Sequence, residues 1–169
     1  MPLTSTETRP RGLRSAHGRL LPVAQHAHPA PPASIHPLID DFHQWQRWSP
    51  WEGLDPDLHR EYSGAPAGMG SIYHWSGNRK AGEGEMRMTE STTSRVAVDL
   101  DFLKPFKASN VTVFQLAPSG DGTDVTWTMT GTRSAVMGLM GKLFFDKAIA
   151  ADFDKGLAGL KREAEGTTT

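Results

Sequence analysis

Trp48-Ser49-Pro50-Trp51 is the most informative stretch of this chain, and Trp45 lies one helical turn before it. Three of the five tryptophans of the chain therefore fall within seven residues. Pro50 fixes its own φ and disfavours the helical region for Ser49, so a preceding helix should end near Trp48. So much aromatic surface at one stiff turn predicts that this tryptophan turn (residues 48–51) packs deeply or lines a cavity.

The composition limits the classes of protein to which the chain can belong. Its 169 residues suit one domain with a sizeable core, and the absence of cysteine excludes disulfides and cysteine-based zinc sites. The formal net charge of -1 gives no indication of nucleic acid or an anionic membrane surface as a partner. No apolar run approaches the ~20 residues that span a bilayer, and no signal sequence is recognisable. We therefore predict a cytoplasmic protein without stable membrane insertion.

The chain changes character near residue 34. Residues 1–33 hold six of the twelve prolines, four arginines and a single acidic residue, Glu7. Such a sequence buries too little apolar surface to offset the entropy of ordering, so residues 1 to about 19 are predicted to be disordered. We predict a disordered or atypical segment over residues 1–30, a domain over 31–165 and a tail over 166–169. A basic tail that binds an acidic partner is the alternative interpretation of the arginines.

Two helices are predicted, one at each end of the domain. Before the tryptophan turn, apolar residues recur at helical spacing, and a single amphipathic helix is expected there with Trp45 on its apolar stripe. From about residue 135 to 163 the chain contains no proline, which predicts a long second helix. Residues 149, 153, 157 and 160 mark its apolar stripe, and Asp152 is expected among the charged residues on its solvent side.

Six segments between these helices read as strands. They cover residues 58–62, 70–75, 85–91, 95–102, 110–116 and 123–132. Most of them alternate apolar with polar residues, which is the pattern of a strand with one buried face. Short turn-forming links join several of them and no helix intervenes, which favours an antiparallel meander over parallel βαβ units.

This order of elements resembles the START-like superfamily, also called SRPBCC, and within it the polyketide cyclase/dehydrase-like branch that is related to the Bet v 1-like proteins. The resemblance covers about residues 31–164. It is carried by Phe42-His43-Gln44-Trp45, Trp48-Ser49-Pro50-Trp51, Leu54-Asp55-Pro56, Tyr62-Ser63-Gly64, Gly68-Met69-Gly70, Trp75-Ser76-Gly77-Asn78, Gly82-Glu83-Gly84, Val125-Thr126-Trp127 and the helix from Asp152-Phe153 to Leu160-Lys161.

The resemblance implies an α+β helix-grip fold. In that fold a curved antiparallel sheet wraps around a long C-terminal helix and encloses a hydrophobic cavity. The family's first strand would lie at residues 19–28, where Pro22 stands in the middle of the segment. Because proline is confined to sheet edges and bulges, one hypothesis is that this strand is absent here, which would leave an unpaired gap in the sheet.

The apolar faces supply a candidate ligand-binding set. Methionine adapts to irregular shapes, and indole or phenol groups can anchor the polar end of a ligand. Plain core packing is the alternative interpretation for each member. The set comprises Trp48, Trp51, Tyr73, Trp75, Met86, Met88, Phe102, Phe114, Trp127, Met129, Met140 and Phe144.

No motif for nucleotide binding or nucleophilic catalysis is present, and no cofactor is predicted. His36 and His43 lie seven residues apart and would share a helix face, but a third ligand is not apparent, so no metal site is predicted. His74 alternates with Trp75 on one strand and is expected to face solvent.

Three functions remain open from the sequence. The first is binding or transport of a hydrophobic small molecule, such as a lipid or polyketide, without a reaction. The second is a polyketide cyclase or dehydratase, in which a shaped pocket folds the substrate and Tyr73, with Ser71 on the same face, supplies a polar group. The third is a partner-binding domain whose own side chains fill the cavity. The sequence does not fix the ligand or the oligomeric state.

Overall fold

The computed structural model describes residues 19–132 and 139–166, with side chains described over residues 24–131 and 148–166. The elements, in chain order, are β1 (Arg19–His28), α1 (Pro32–Asp40), a 3₁₀ helix (Phe42–Arg47), β2 (His59–Gly64), β3 (Ser71–Ser76), β4 (Glu83–Thr92), β5 (Arg95–Lys104), β6 (Ala108–Ser119), β7 (Gly122–Thr132) and α2 (Leu139–Gly166).

The seven strands form one curved, open antiparallel sheet in the order β1-β7-β6-β5-β4-β3-β2. The α+β helix-grip fold and the meander are confirmed. Alternation also assigned the inward faces of the strands correctly. Of the predicted stripe of α2, Phe153, Leu157 and Leu160 are buried and Ile149 is partly buried. The fully or almost fully buried apolar residues include Tyr73, Met88, Val96, Val98, Phe114, Leu116, Val125, Trp127, Met129, Phe153, Leu157 and Leu160.

The first strand is present, so the hypothesis of its absence is wrong. β1 pairs antiparallel with β7, and the register shifts between Leu21 and Ala24, on either side of Pro22. β1 is also an edge strand. A bulge on an edge strand is where a sheet accepts proline, because no ladder hydrogen bond is lost there. The predicted disorder of residues 1–18 lies outside the described residues.

The stretch before the tryptophan turn forms two helices where one was predicted. Asp41 has an extended backbone, with φ -110° and ψ 112°, and follows the end of α1. Its carboxylate accepts a hydrogen bond from the His43 backbone N–H at 2.9 Å and so caps the 3₁₀ helix. His36 therefore lies on α1 and His43 on the 3₁₀ helix, and the predicted shared face of these two histidines is wrong.

Two indoles of this region cap the C-terminal end of α1. The last carbonyl groups of an α-helix have no partners within the helix. Trp45 Nε1 donates to the Ile39 carbonyl at 2.9 Å, and Trp48 Nε1 donates to the Leu38 carbonyl at 2.8 Å. Both indoles also pack edge-on against Phe114 of β6, with ring centres 5.8 and 6.0 Å away. The two indoles therefore hold α1 against the sheet, as predicted for Trp45.

Two glycines of α2 allow the tryptophan turn to approach that helix closely. A Cβ atom on Gly159 would lie 2.6 Å from the Trp48 carbonyl oxygen. A Cβ atom on Gly156 would lie 2.6 Å from the Trp127 ring and 3.2 Å from Pro50 Cδ. Glycine at these two positions therefore sets the distance between α2 and the tryptophan turn.

Candidate ligand-binding cavity

A cavity of about 270 Å³ lies between the inner face of the sheet and α2. Its size falls near the lower end of small-molecule sites, which occupy roughly 300–1,000 Å³. Most of its wall is apolar. The residues that line it are Trp45, Ser49, Trp51, Glu52, Leu54, Leu58, Tyr73, Trp75, Lys80, Ala81, Met86, Leu100, Phe102, Thr112, Trp127, Met129, Ala148, Ile149 and Asp152.

The structure brings seven of the twelve predicted ligand-binding residues to this cavity. Trp48, Met88 and Phe114 are buried in the core and do not line it. Met140 and Phe144 belong to α2, but their side chains lie outside the described residues. The seven that line the cavity are Trp51, Tyr73, Trp75, Met86, Phe102, Trp127 and Met129.

Trp127 forms the centre of the aromatic wall. It stacks on Phe153 of α2 with ring centres 4.1 Å apart and planes 3° from parallel. Trp51 packs against it edge-on, at 5.6 Å between ring centres. Its Nε1 donates to the Thr112 hydroxyl at 2.6 Å, so the buried N–H is satisfied. The indole is therefore fixed in position, and its wall is preformed.

Trp75 occupies the part of the wall nearest the β3–β4 loop. Its ring lies over Gly84 of the next strand, where a Cβ atom would be 2.4 Å from the indole. Its Nε1 donates to the Ala81 carbonyl at 3.1 Å, and Phe102 packs edge-on at 5.9 Å between ring centres. The glycine thus creates the space that lets Trp75 lie flat on the sheet.

One part of the cavity wall carries a chain of polar side chains. Tyr73 Oη donates to Glu52 Oε1 at 2.8 Å, and Arg60 Nε donates to Glu52 Oε2 at 2.7 Å. The Glu52 side chain is only 8% exposed, so Arg60 provides the positive charge that a buried carboxylate requires. Tyr62 stacks on Tyr73 with ring centres 5.1 Å apart, and its hydroxyl accepts a hydrogen bond from Gln46.

The electrostatics of this chain fix the protonation state of the phenol. Burial, followed by the negative charge of Glu52, raises the pKa of Tyr73 far above its ordinary value. The phenol therefore stays protonated, and its hydrogen points to Glu52. The lone pairs of the phenol oxygen remain free to accept a hydrogen bond from a bound molecule.

Glu52 is a residue of the cavity wall that no pattern in the sequence predicts. Alternation along β3 identified Tyr73 as inward-facing, but Glu52 lies in the turn-rich segment after Trp51, where no period assigns a face. Its position next to Trp51 was the only signal. Asp152 was expected on the solvent side of α2, yet it lines the cavity and pairs with Lys155 at 3.7 Å.

The opening of the cavity is marked by its exposed lining residues. These are Leu54, Lys80 and Ala148, which come from the segment after the tryptophan turn, the β3–β4 loop and α2. A molecule that enters the cavity would pass between these three elements.

Two other candidates from the sequence lie away from the cavity. His74 is only partly buried on the outer face of β3, with Nε2 3.7 Å from Glu83, as alternation predicts. Ser71 is buried and donates to the Gly68 carbonyl, and it does not line the cavity. Over the described parts of the chain, no group of three or more histidine, aspartate or glutamate side chains is placed to hold a metal ion.

A curved sheet that grips a long helix around an apolar cavity defines the helix-grip class of proteins. The chain belongs to the family described as polyketide cyclase/dehydrase and lipid transport, whose sequence profile matches residues 23–165. This confirms the resemblance drawn from the sequence. No sequence among the curated proteins matches the chain.

Solved structures of the same fold are similar at low sequence identity. Protein MLL2253 of Mesorhizobium loti has a TM-score of 0.65 and 14% identity, over 89% of this chain and 100% of that one. Mll3558 of Rhizobium loti has a TM-score of 0.57 and 21% identity, over 83% and 94%. DynU16, a protein of the dynemicin biosynthetic locus, has a TM-score of 0.59 and 14% identity, over 85% of this chain and 46% of its own. Within residues 19–132 and 139–166, no helix combines the length and apolarity needed to cross a bilayer.

Proposed function

We propose that this protein binds a hydrophobic small molecule in the cavity between the sheet and α2. The observation that carries the proposal is the cavity itself, a space of about 270 Å³ whose wall is mainly aromatic and aliphatic. Apolar pockets with a few convergent polar groups are the usual sites for small molecules. The description of the family, which includes lipid transport, is consistent with such a ligand.

The polar chain in the wall suggests the chemistry of one end of the ligand. Tyr73 gives its hydrogen to Glu52, so its oxygen presents lone pairs to the cavity. A ligand with a hydroxyl group at that end would donate to Tyr73, while its apolar body would lie between Trp127 and Trp75. We therefore propose a mainly apolar or aromatic molecule with at least one hydroxyl group.

The uncharged fluorophore N-phenyl-1-naphthylamine tests whether the cavity accepts an apolar molecule. The variant Ala148→Trp places an indole on a residue that lines the opening, and Ala151→Trp places the same indole one turn further along α2, on an exposed residue outside the cavity. We expect wild-type and Ala151→Trp proteins to enhance the fluorescence equally. Ala148→Trp should bind the probe at least tenfold more weakly, because the indole occupies the entrance. Equal binding by both variants would show that the probe binds elsewhere.

A cyclase or dehydratase activity is the second candidate, and the contact of Tyr73 with Glu52 favours it. A phenol and a carboxylate inside an apolar cavity could orient a polyketide and guide a proton. The test is to incubate the protein with a panel of linear polyketides and to detect cyclised or dehydrated products by mass spectrometry.

The variant Tyr73→Phe separates the two functions. An enzyme should lose its reaction in this variant while still binding N-phenyl-1-naphthylamine, because the two aromatic groups of this probe supply most of its contact with the apolar wall. Tyr62→Phe is the matched control, because it removes a neighbouring hydroxyl that does not contact Glu52 and keeps the stacked ring. Probe binding without any product would leave ligand binding as the function.

A further inference from the structure

Exposed apolar side chains lie near the opening of the cavity. Phe106, in the β5–β6 loop, is 72% exposed, and Leu103, at the end of β5, is 39% exposed. Leu54, which lines the opening, is 37% exposed. Phe106 is the most exposed of the three, and together with Leu103 and Leu54 it gives this end of the molecule an apolar surface that is available for a contact outside the molecule.

Positive charge lies beside Phe106 and Leu103, whereas Leu54 has Asp55 and Asp57 as its charged neighbours in the chain. Two segments, called the two loops here, are the β3–β4 loop over residues 77–82 and the end of β5 with the β5–β6 loop over residues 103–107. They contain Arg79, Lys80, Lys104 and Lys107 and no acidic residue. All four cations are exposed. Lys104 pairs with Glu83, just outside the first loop, at 2.6 Å. The two loops together therefore carry an excess of positive charge, although the whole chain has a net charge of -1.

The two loops are neighbours at one end of the sheet. β4 pairs with β5 so that Glu83 lies opposite Lys104. A Cβ atom on Gly82 would lie 2.4 Å from the Lys104 carbonyl oxygen, which shows how closely the loops approach. Lys80 and Phe102, in and beside these loops, line the cavity. The apolar and basic groups therefore share one surface with the opening.

We propose that this docking surface, formed by Leu54 and the loops over residues 77–82 and 103–107, binds the protein to an anionic lipid bilayer with the cavity opening towards the lipid. Apolar side chains on loop tips can enter the boundary between headgroups and acyl chains, while cations beside them contact the phosphates. A protein partner is less well matched, because a stable protein interface needs about 20–30 residues a side with an apolar centre. Binding at this surface is peripheral and leaves the fold unchanged.

Sedimentation of the full-length chain with vesicles tests this proposal. Vesicles of equal parts phosphatidylcholine and phosphatidylglycerol should bind the wild-type protein, and pure phosphatidylcholine vesicles should bind it at least tenfold more weakly. Phe106→Ser should weaken binding to the anionic vesicles about tenfold, through loss of the buried ring. The double variant R79Q/K107Q should weaken it about fivefold per cation and reduce its sensitivity to salt.

Met69→Ser is the matched control for Phe106→Ser. Met69 is 71% exposed, but it lies in the β2–β3 loop, where the neighbouring Gly68 N–H donates to the Asp40 carbonyl of α1. This loop is at the opposite end of β3 from residues 77–82, so the substitution should leave vesicle binding unchanged.

Three results would overturn the proposal. The first is that the wild-type protein does not bind anionic vesicles. The second is that Met69→Ser and Phe106→Ser weaken vesicle binding equally. The third is that the protein self-associates through Phe106 and does not bind vesicles. The last result would assign the surface to a protein partner. The N-phenyl-1-naphthylamine assay contains no vesicles and the sedimentation assay contains no fluorophore, so the failure of one proposal is distinguishable from the failure of the other.

Discussion

His28 should make the stability of the protein depend on pH in the mildly acidic range. It is the last residue of β1, is 2% exposed, and lies opposite Thr123 of β7. Neither of its ring nitrogens has a hydrogen-bond partner among the described residues. Burial lowers its pKa from 6.5 to about 4, and the nearby positive charges of His26 and Lys161 add to this effect, whereas Asp124 opposes it. The folded protein therefore keeps this imidazole neutral.

The sign and size of the effect follow from that pKa. Between pH 6.5 and 4 the unfolded chain binds a proton at His28 and the folded chain does not, so the free energy of unfolding falls as the pH falls through this range. A pKa lowered from 6.5 to about 4 corresponds to about 3 kcal/mol in full, since one pKa unit is about 1.4 kcal/mol. About 2 kcal/mol of this should be lost between pH 8 and pH 5.

Urea unfolding followed by tryptophan fluorescence, at pH 8 and at pH 5, measures the loss. With a slope of about 2 kcal/mol per molar urea, the wild-type midpoint should fall by about 1 M more than that of His28→Leu. Carboxylates and other histidines titrate in both proteins, so the difference between them isolates His28. His59→Leu, which removes an exposed histidine, should keep the wild-type dependence. If the wild type and His28→Leu lose the same stability at pH 5, the buried neutral imidazole is not its cause.

Two further substitutions test the packing behind the cavity. Gly159→Ala should lower the free energy of unfolding by about 1–2 kcal/mol, because its Cβ would lie 2.6 Å from the Trp48 carbonyl oxygen and alanine's helix propensity offsets only part of that clash. Gly166→Ala is the control, because among the described residues no atom beyond its own stretch of helix lies within 4 Å of an added Cβ, and equal urea midpoints for both would contradict the close approach. Thr112→Val should lower the free energy of unfolding by about 1–3 kcal/mol, because it leaves the buried Trp127 N–H without an acceptor, and an unchanged thermal midpoint would show that this hydrogen bond is dispensable.

Local patterns were sufficient for most of the sheet and for part of the cavity wall. Alternation depends only on neighbouring residues, so it placed Tyr73 and Trp75 of β3 and Trp127 and Met129 of β7 on the inner face. It could not separate residues that line the cavity from residues packed behind it. Met86 and Met88 follow the same alternation and both are buried, but Met86 lines the cavity and Met88 does not.

Other features depend on contacts between distant segments, and local patterns do not report them. Pro22 argued against a strand, but the strand forms because β7 offers it an edge position with a bulge. Glu52 has no periodic neighbours, and only its hydrogen bonds to Tyr73 and Arg60 bring it into the cavity wall. The net charge gave no sign of a basic surface, because it sums over the whole chain, and the two basic segments, residues 79–80 and 104–107, come together only when the β3–β4 and β5–β6 loops meet.

The tryptophan turn combines features that local sequence predicts with features that depend on contacts between distant segments. The local sequence is enough to predict that Pro50 stops helical structure near Trp48 and that a cluster of indoles is buried, since both follow from the backbone of proline and the apolar area of tryptophan. The separate roles of the indoles depend on the packing of distant elements. Trp48 donates to α1 and packs against Gly159, while Trp51 lines the cavity, because the position of α2 determines which indole it covers.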